Sequence, residues 1–144
     1  MFVGTFEHSI DPKNRITLPA SWRKKLGEKV FLSFSADNCI ELRTTEAFIL
    51  YADTLKKLDS KKESVRKINR TFFANSSEIE IDGSNRILIP TSLINLAKIK
   101  KTVVMLGTGD KIEIWDQDAY NTDKRLSDVN DLNNELESLS SNDQ

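Results

Sequence analysis

The sequence predicts an α+β fold, mainly β at its core with helices at the joints, built from two copies of one unit. Three observations predict it. The line IDPKNRITLP beginning at Ile10 returns as IDGSNRILIP at Ile81. Apolar and polar residues alternate on either side of both lines, the period of a half-buried strand. After the proline that ends each line the spacing changes to that of a helix.

The repeat is extensive. A shift of 71 aligns Glu7–Ser21 with Glu78–Ser92, and eight of those 15 pairs are identical: Glu, Ile, Asp, Asn, Arg, Ile, Pro and Ser. Beyond Gly27 a shift of 72 lays NCIELRTTEAF over DKIEIWDQDAY, keeping Ile40/Ile112, Glu41/Glu113 and Ala47/Ala119. One D-x-x-x-R is uninformative, but two in the same strand-turn-strand-Pro frame are a duplication. Two copies are too few, and the period too long, for a solenoid. Each copy therefore reads as half of a structure that the other half completes.

In the first copy FEHSI is a strand, DPKN a turn with Pro12 where a type I turn accepts it, and RITL a strand. Pro19 opens the helix ASWRKKL, which ends at Gly27; KVFLSFS and CIELR then form a hairpin across Ala36-Asp37-Asn38. A helical linker follows, with Phe48, Tyr51, Leu55 and Leu58 at helical spacing after a capping Thr45. Ser60-Lys61-Lys62-Glu63 has the form of a capping box for a second helix, SVRKINRTFF. Its expected apolar stripe is Val65, Ile68 and Phe72, and Lys61, Lys62, Arg66, Lys67 and Arg70 make it basic.

The second copy repeats the order. EIEID alternates Glu78 and Glu80 with Ile79 and Ile81, and Asp82-Gly83-Ser84-Asn85 is turn chemistry. From Arg86 on, Ile87 and Ile89 share one strand face and Arg86 and Leu88 the other. TSLINLAKI is a helix, KTVVML and KIEIW are strands around a Gly107-Thr108-Gly109-Asp110 turn, and Asp116 caps a helix through QDAYNTDKRL. The expected units are 5–47 and 76–119 as repeats, 48–75 as helical linker, and 126–144 as an acidic tail, a weak helix or disordered. Val129, Leu132, Leu136 and Leu139 supply the tail's helical spacing.

An apolar fraction of 38% with 30% charged residues is an ordinary globular balance. No apolar run approaches the roughly 20 residues of a membrane helix, and MFVGTFEHSID has no signal-peptide pattern. A cytoplasmic protein is expected. The net charge of −1 hides an asymmetry: Leu126–Gln144 carries five acids and no base, so residues 1–125 stand at +4. One cysteine excludes an internal disulfide, and no Cys/His cluster suggests a metal. No cofactor and no small-molecule substrate is implied. Nor is catalysis: the only histidine, His8, aligns with Ile79 and is expected to be packed. Cys39 has no second histidine as a base, and Gly107-Thr108-Gly109 precedes a strand rather than a helix that would bind phosphate. Trp22 and Trp115 read as core or subunit-contact residues.

With both boxes placed, the chain resembles the MraZ family, bacterial transcription regulators made of two SpoVT-AbrB-like repeats. The likeness lies in MFVGTFEHSID with Gly4 and His8, in DPKNRITLPA and in DNCIEL. It continues in RTFFANSSEIEIDGSNRILIP, VVMLGTGDKIEIW and Ala119-Tyr120, so that it spans Met1 to Tyr120. Relatives often carry Gly before the box Arg, where this chain has Asn14 and Asn85; Asn is the next most tolerant of a left-handed backbone.

The resemblance implies a double-split AbrB-like β-barrel and a ring-shaped homo-oligomer, commonly an octamer. It also implies a nucleoid-associated regulator that binds tandem direct repeats of double-stranded DNA. Those repeats lie in the promoter of the cell-division and cell-wall operon, upstream of the regulator's own gene. DNA recognition then falls to the loops Asp11–Arg15 and Asp82–Arg86. Arg15 and Arg86 are the expected principal contacts, with Lys13, Asn14, Ser84 and Asn85 beside them and Asp11 and Asp82 organising each loop. Arg23, Lys24 and Lys25 are expected phosphate neighbours. The competing reading of each box is an Asp–Arg pair that merely locks a hairpin. The competing function is an oligomeric protein-interaction scaffold, acting through the helix Ser64–Phe73 or the tail, without sequence-specific DNA binding. The basic helix suits either DNA phosphates or a neighbouring subunit.

Overall fold

In the computed structural model, residues 1–123, 126 and 129–142 are described. The first repeat supplies β1 (Thr5–Ser9), β2 (Arg15–Thr17), α1 (Ala20–Leu26), β3 (Lys29–Phe34) and β4 (Ile40–Thr44). Two helices follow, α2 (Thr45–Lys56) and α3 (Glu63–Ala74). The second repeat supplies β5 (Ser77–Glu80), β6 (Arg86–Leu88), α4 (Thr91–Leu96), β7 (Thr102–Gly107), β8 (Ile112–Asp116) and α5 (Gln117–Thr122). A turn of 3-10 helix, Val129–Asp131, leads into α6 (Leu132–Asn142). The fold is α+β with antiparallel sheets. Among the described residues no ladder closes them into a barrel.

The repeats are interlocked. The six-stranded sheet runs β1-β7-β8-β4-β3-β5, and β2 pairs with β6 alone. Each repeat thus places its first strand beside the third strand of the other: β1 on β7, β5 on β3. The two remaining inter-repeat ladders lie on a pseudo-twofold axis, where a residue faces its own counterpart. Ile16 opposes Ile87, and Glu41 opposes Glu113. The axis follows from the duplication, because two like strands that pair antiparallel about their centres meet in matching register.

Alternation drives one core between sheet and ribbon. Ile16, Val30, Leu32, Ile40, Leu42, Ile87, Val103, Ile112 and Ile114 are fully buried, joined by Leu18, Trp22, Ile89 and Leu93. Losing any large one of these exposes or empties space in both repeats, at about 2–5 kcal/mol for Ile or Leu to Ala. Gly107 lies against the N-terminal segment: a Cβ there would come within 2.5 Å of the Phe2 carbonyl carbon and the Val3 nitrogen.

The helical hairpin covers the other face of β3 and β4. Phe31, between the core residues Val30 and Leu32, points outward and stacks on Phe48 at 4.1 Å, and Phe48 stacks on Phe72 at 5.7 Å. Buried Arg43 lies 4.2 Å over the Tyr51 ring and donates to Ser33 and Glu41. This network neutralises the two like charges that the pseudo-axis sets opposite each other, since Lys111 also approaches Glu41 and Glu113.

Several expectations are corrected. His8 is exposed, because β1 is an edge strand where a polar ring keeps its hydration. The first linker helix is capped by Thr44 rather than Thr45, its hydroxyl accepting from the Ala47 N–H. The second begins at Glu63 with no side-chain cap; Asp59 takes the local turn bond from Lys61 N–H, and Arg66 donates to the Ser60 and Lys61 carbonyls. Ile68 of its stripe stays exposed while Val65 and Phe72 are buried. Helix α4 stops at Leu96 because Lys98 turns to a φ of 53°. Helix α5 stops at Thr122; residues 124 and 125 of the longer helix expected there lie outside the described residues, as do 127, 128, 143 and 144 of the tail. Asp116 caps α5 as expected, accepting from the Ala119 N–H.

Candidate nucleic-acid interface

Each box is a turn organised by one carboxylate. Asp11 Oδ1 accepts the backbone N–H of Lys13 at 2.8 Å and of Arg15 at 2.9 Å, and Oδ2 accepts Arg15 Nε at 2.7 Å. Asp82 repeats this with the N–H of Ser84 at 2.8 Å, the N–H of Arg86 at 2.9 Å and Arg86 Nε at 2.9 Å. Asn14 and Asn85 complete both turns in the left-handed region, with φ of 61° and 62°. Such a backbone disfavours most side chains but tolerates Asn. The loops agree although Pro12-Lys13 in one stands where Gly83-Ser84 stands in the other. The letters the duplication keeps are those whose atoms define the turn.

These bonds act on the carboxyls. The Arg15 N–H, foremost, holds Asp11 below its ordinary range; partial desolvation opposes this, and the Arg15 side chain and Lys13 N–H add to it. Asp82 is lowered in the same way, first by the Arg86 N–H. A carboxyl depressed on folding contributes stability above its unfolded value and loses it as pH falls through the folded value. A carbon-detected NMR titration should therefore place both midpoints below about 3.9, the ordinary value. Midpoints at or above that value contradict the geometry.

The turns feed directly into the β2–β6 ribbon. Leu18 N–H donates to the Asn85 carbonyl and Ile89 N–H to the Asn14 carbonyl, both at 2.8 Å, tying each strand's end to the opposite loop. Ile16 and Ile87 face the core, so Arg15, Thr17, Arg86 and Leu88 all lie on the outward face. The two arginines are diagonal neighbours there, about 7–8 Å apart along the ladder. Their side chains are 29% and 36% exposed. Asp engages only Nε of each guanidinium; among the described residues the two terminal amino groups have no hydrogen-bond partner in the chain. The Asp–Arg pair and the outward position are thus found together, the carboxylate holding Nε while the side chain stays part exposed.

The remaining expected residues divide. Lys13 and Ser84 are exposed at the loop tips, and Asn14 and Asn85 are half-buried, their side chains beside the arginines in sequence. Arg23 instead donates to the Gly27 carbonyl at the end of α1, and Lys25 to the Met1 carbonyl; Lys24 is exposed. Helix α3 carries exposed Arg66, Lys67 and Arg70 on the sheet face opposite the ribbon. Thr17 and Leu88 were not among the expected contacts, yet they complete the ribbon face. Alternation puts Leu88 beside Arg86, but only the β2–β6 register brings it opposite Arg15.

Cys39 is fully buried, and burial, helped by the Glu113 charge, pushes its thiol up to about 12. Among the described residues no three His, Cys, Asp or Glu side chains gather as metal ligands, and no helix is long and apolar enough to cross a membrane.

Comparison with known proteins gives one answer. A family profile described as "MraZ protein, putative antitoxin-like" matches residues 1–71 and again 72–137. The chain is 43% identical over 120 residues to the transcriptional regulator MraZ of Mycoplasmoides gallisepticum, covering 83% of this chain and 84% of that one. Its counterpart in Mesoplasma florum is 41% identical over 121 residues, 83% of each. That of Alkaliphilus metalliredigens is 36% identical over 142 residues, 96% of this chain and 99% of the relative.

Proposed function

The chain belongs to the MraZ family of transcriptional regulators, and from that premise we propose that it is a sequence-specific DNA-binding regulator that reads promoter DNA through the β2–β6 ribbon. The observation that carries this is the placement of two part-exposed guanidiniums on one face, each braced at Nε by an aspartate. A two-stranded ribbon fits the major groove, and a guanidinium fork matches the O6 and N7 acceptors of guanine, for about 1–3 kcal/mol of discrimination each. Lys13, Ser84, Asn14 and Asn85 sit where a groove's phosphates and base edges would meet the loops; Asp11 and Asp82 keep the loops in shape.

In this reading the interlocked sheet and ribbon, with their one core, form a double-split AbrB-like barrel whose two halves lie in a single chain. The repeats 5–47 and 76–119 supply those halves, 48–75 the helical hairpin between them, and 126–144 an acidic tail. One ribbon makes few base contacts, so a ring-shaped homo-oligomer, of eight subunits in our reading, raises affinity by engaging several short direct repeats at once. Helix α3, on the face away from the ribbon, is assigned to a neighbouring subunit. The target is the tandem-repeat promoter of the cell-division and cell-wall operon, including the protein's own gene. Its working place is the nucleoid in the cytoplasm.

A mobility-shift assay on the DNA upstream of the protein's own coding sequence tests this. Inserting five base pairs between adjacent repeats turns them to opposite sides of the duplex. Affinity should then fall at least about tenfold if adjacent subunits grip adjacent repeats. Equal binding to the native and respaced fragments would refute coupled recognition, and binding no better than to unrelated DNA would refute the regulator reading itself.

A further inference from the structure

The outward ribbon face holds four side chains, and the box loops account for only two. Leu88 is 53% exposed, directly opposite Arg15; Thr17 is directly opposite Arg86. The bonds linking Leu18 to Asn85 and Asn14 to Ile89 mark hydrogen-bonded positions of the ladder. By alternation, Arg15–Leu88 and Thr17–Arg86 are the close pairs between them, with Cα atoms about 4.5 Å apart. Leu88 is therefore the close cross-strand neighbour of Arg15 on the outward face. Thr17 and Leu88 are counterparts in the duplication, yet one is polar and short and the other apolar and branched.

Leu88 is an apolar group set beside two guanidiniums on the face that the proposed function turns to DNA. In the major groove the apolar group that distinguishes one base from the rest is the C5-methyl of thymine. We propose that Leu88 is a specificity-determining residue that packs on the methyl of a thymine adjoining the base addressed by Arg15. This rests on the reading that the ribbon enters the major groove. It also gives the ribbon a direction. A perfectly twofold ribbon would read a site equally well in either orientation, whereas Leu88 against Thr17, with Ser84 against Lys13, makes the two ends unlike. Head-to-tail repeats suit a reader with that polarity.

The test uses the upstream fragment amplified with dUTP in place of dTTP, which removes the methyl and keeps every hydrogen-bonding group. The full chain should bind the uracil fragment roughly fivefold more weakly than the thymine fragment. Leu88→Ala should bind thymine DNA about as weakly as uracil DNA, and Leu88→Met should restore part of the preference. Light scattering should give all three proteins the same mass. Equal affinity of the wild type for both fragments overturns the assignment, as does a Leu88→Ala variant that still prefers thymine. A variant that dissociates would make Leu88 a subunit contact and overturn it too. Failure of the wild type to bind either fragment above unrelated DNA would instead sink the underlying DNA reading.

Discussion

Replacing Arg15 and Arg86 together by alanine is expected to weaken binding to the upstream fragment by about a hundredfold or more, and to shift the melting temperature by less than about 5 °C. The first effect follows from removing two forks that act on one duplex. The second follows from where they lie. Both pairs are part exposed, where ion pairs contribute little. Each aspartate also keeps its two backbone bonds, which hold the turn without the arginine. Anisotropy titration and a thermal melt on the same preparation separate the two outcomes. A variant that melts far lower would make the boxes structural locks. A variant that binds undiminished would move recognition elsewhere.

Changing Arg43 to methionine is expected to do the opposite, lowering stability by about 3 kcal/mol while leaving the ribbon face untouched. Arg43 is 4% exposed and joins Glu41, Ser33 and the Tyr51 ring. Its loss leaves a buried carboxylate facing Glu113 across the axis, a change that typically costs about 3–5 kcal/mol. Lys111, 3.8 Å from Glu41, keeps the expectation at the low end. Adding Glu41→Leu should recover most of the loss, because the uncompensated charge goes with it. Denaturant unfolding measures both. A loss below about 1 kcal/mol would mean that Lys111 alone neutralises the cluster.

The sequence carried the box geometry unusually far. Asp, Asn and Arg at fixed offsets foretold a carboxylate-organised turn, and Asn14 and Asn85 do adopt the left-handed backbone. Ile87 and Ile89 were separable from Arg86 and Leu88 by alternation alone. Strand partners were not legible, because alternation states which face is buried and not which strand lies alongside. The exchange of β1 and β5, and the ribbon that joins the two boxes, are tertiary facts. His8 and Ile68 failed for a related reason: helical or alternating spacing marks a candidate face, while what packs against that face decides whether it is covered. Ser60 failed as a cap because Asp59 forms the preceding turn first.

For the ribbon to be the reader, both guanidiniums must meet one duplex from one face. A structure of the assembled protein on its upstream DNA tests this most directly. It should place Arg15 and Arg86 of a subunit in the same major groove, with Asp11 and Asp82 still bonded to Nε. DNA lying instead along the basic face of α3, with the β2–β6 ribbon turned away, would contradict it.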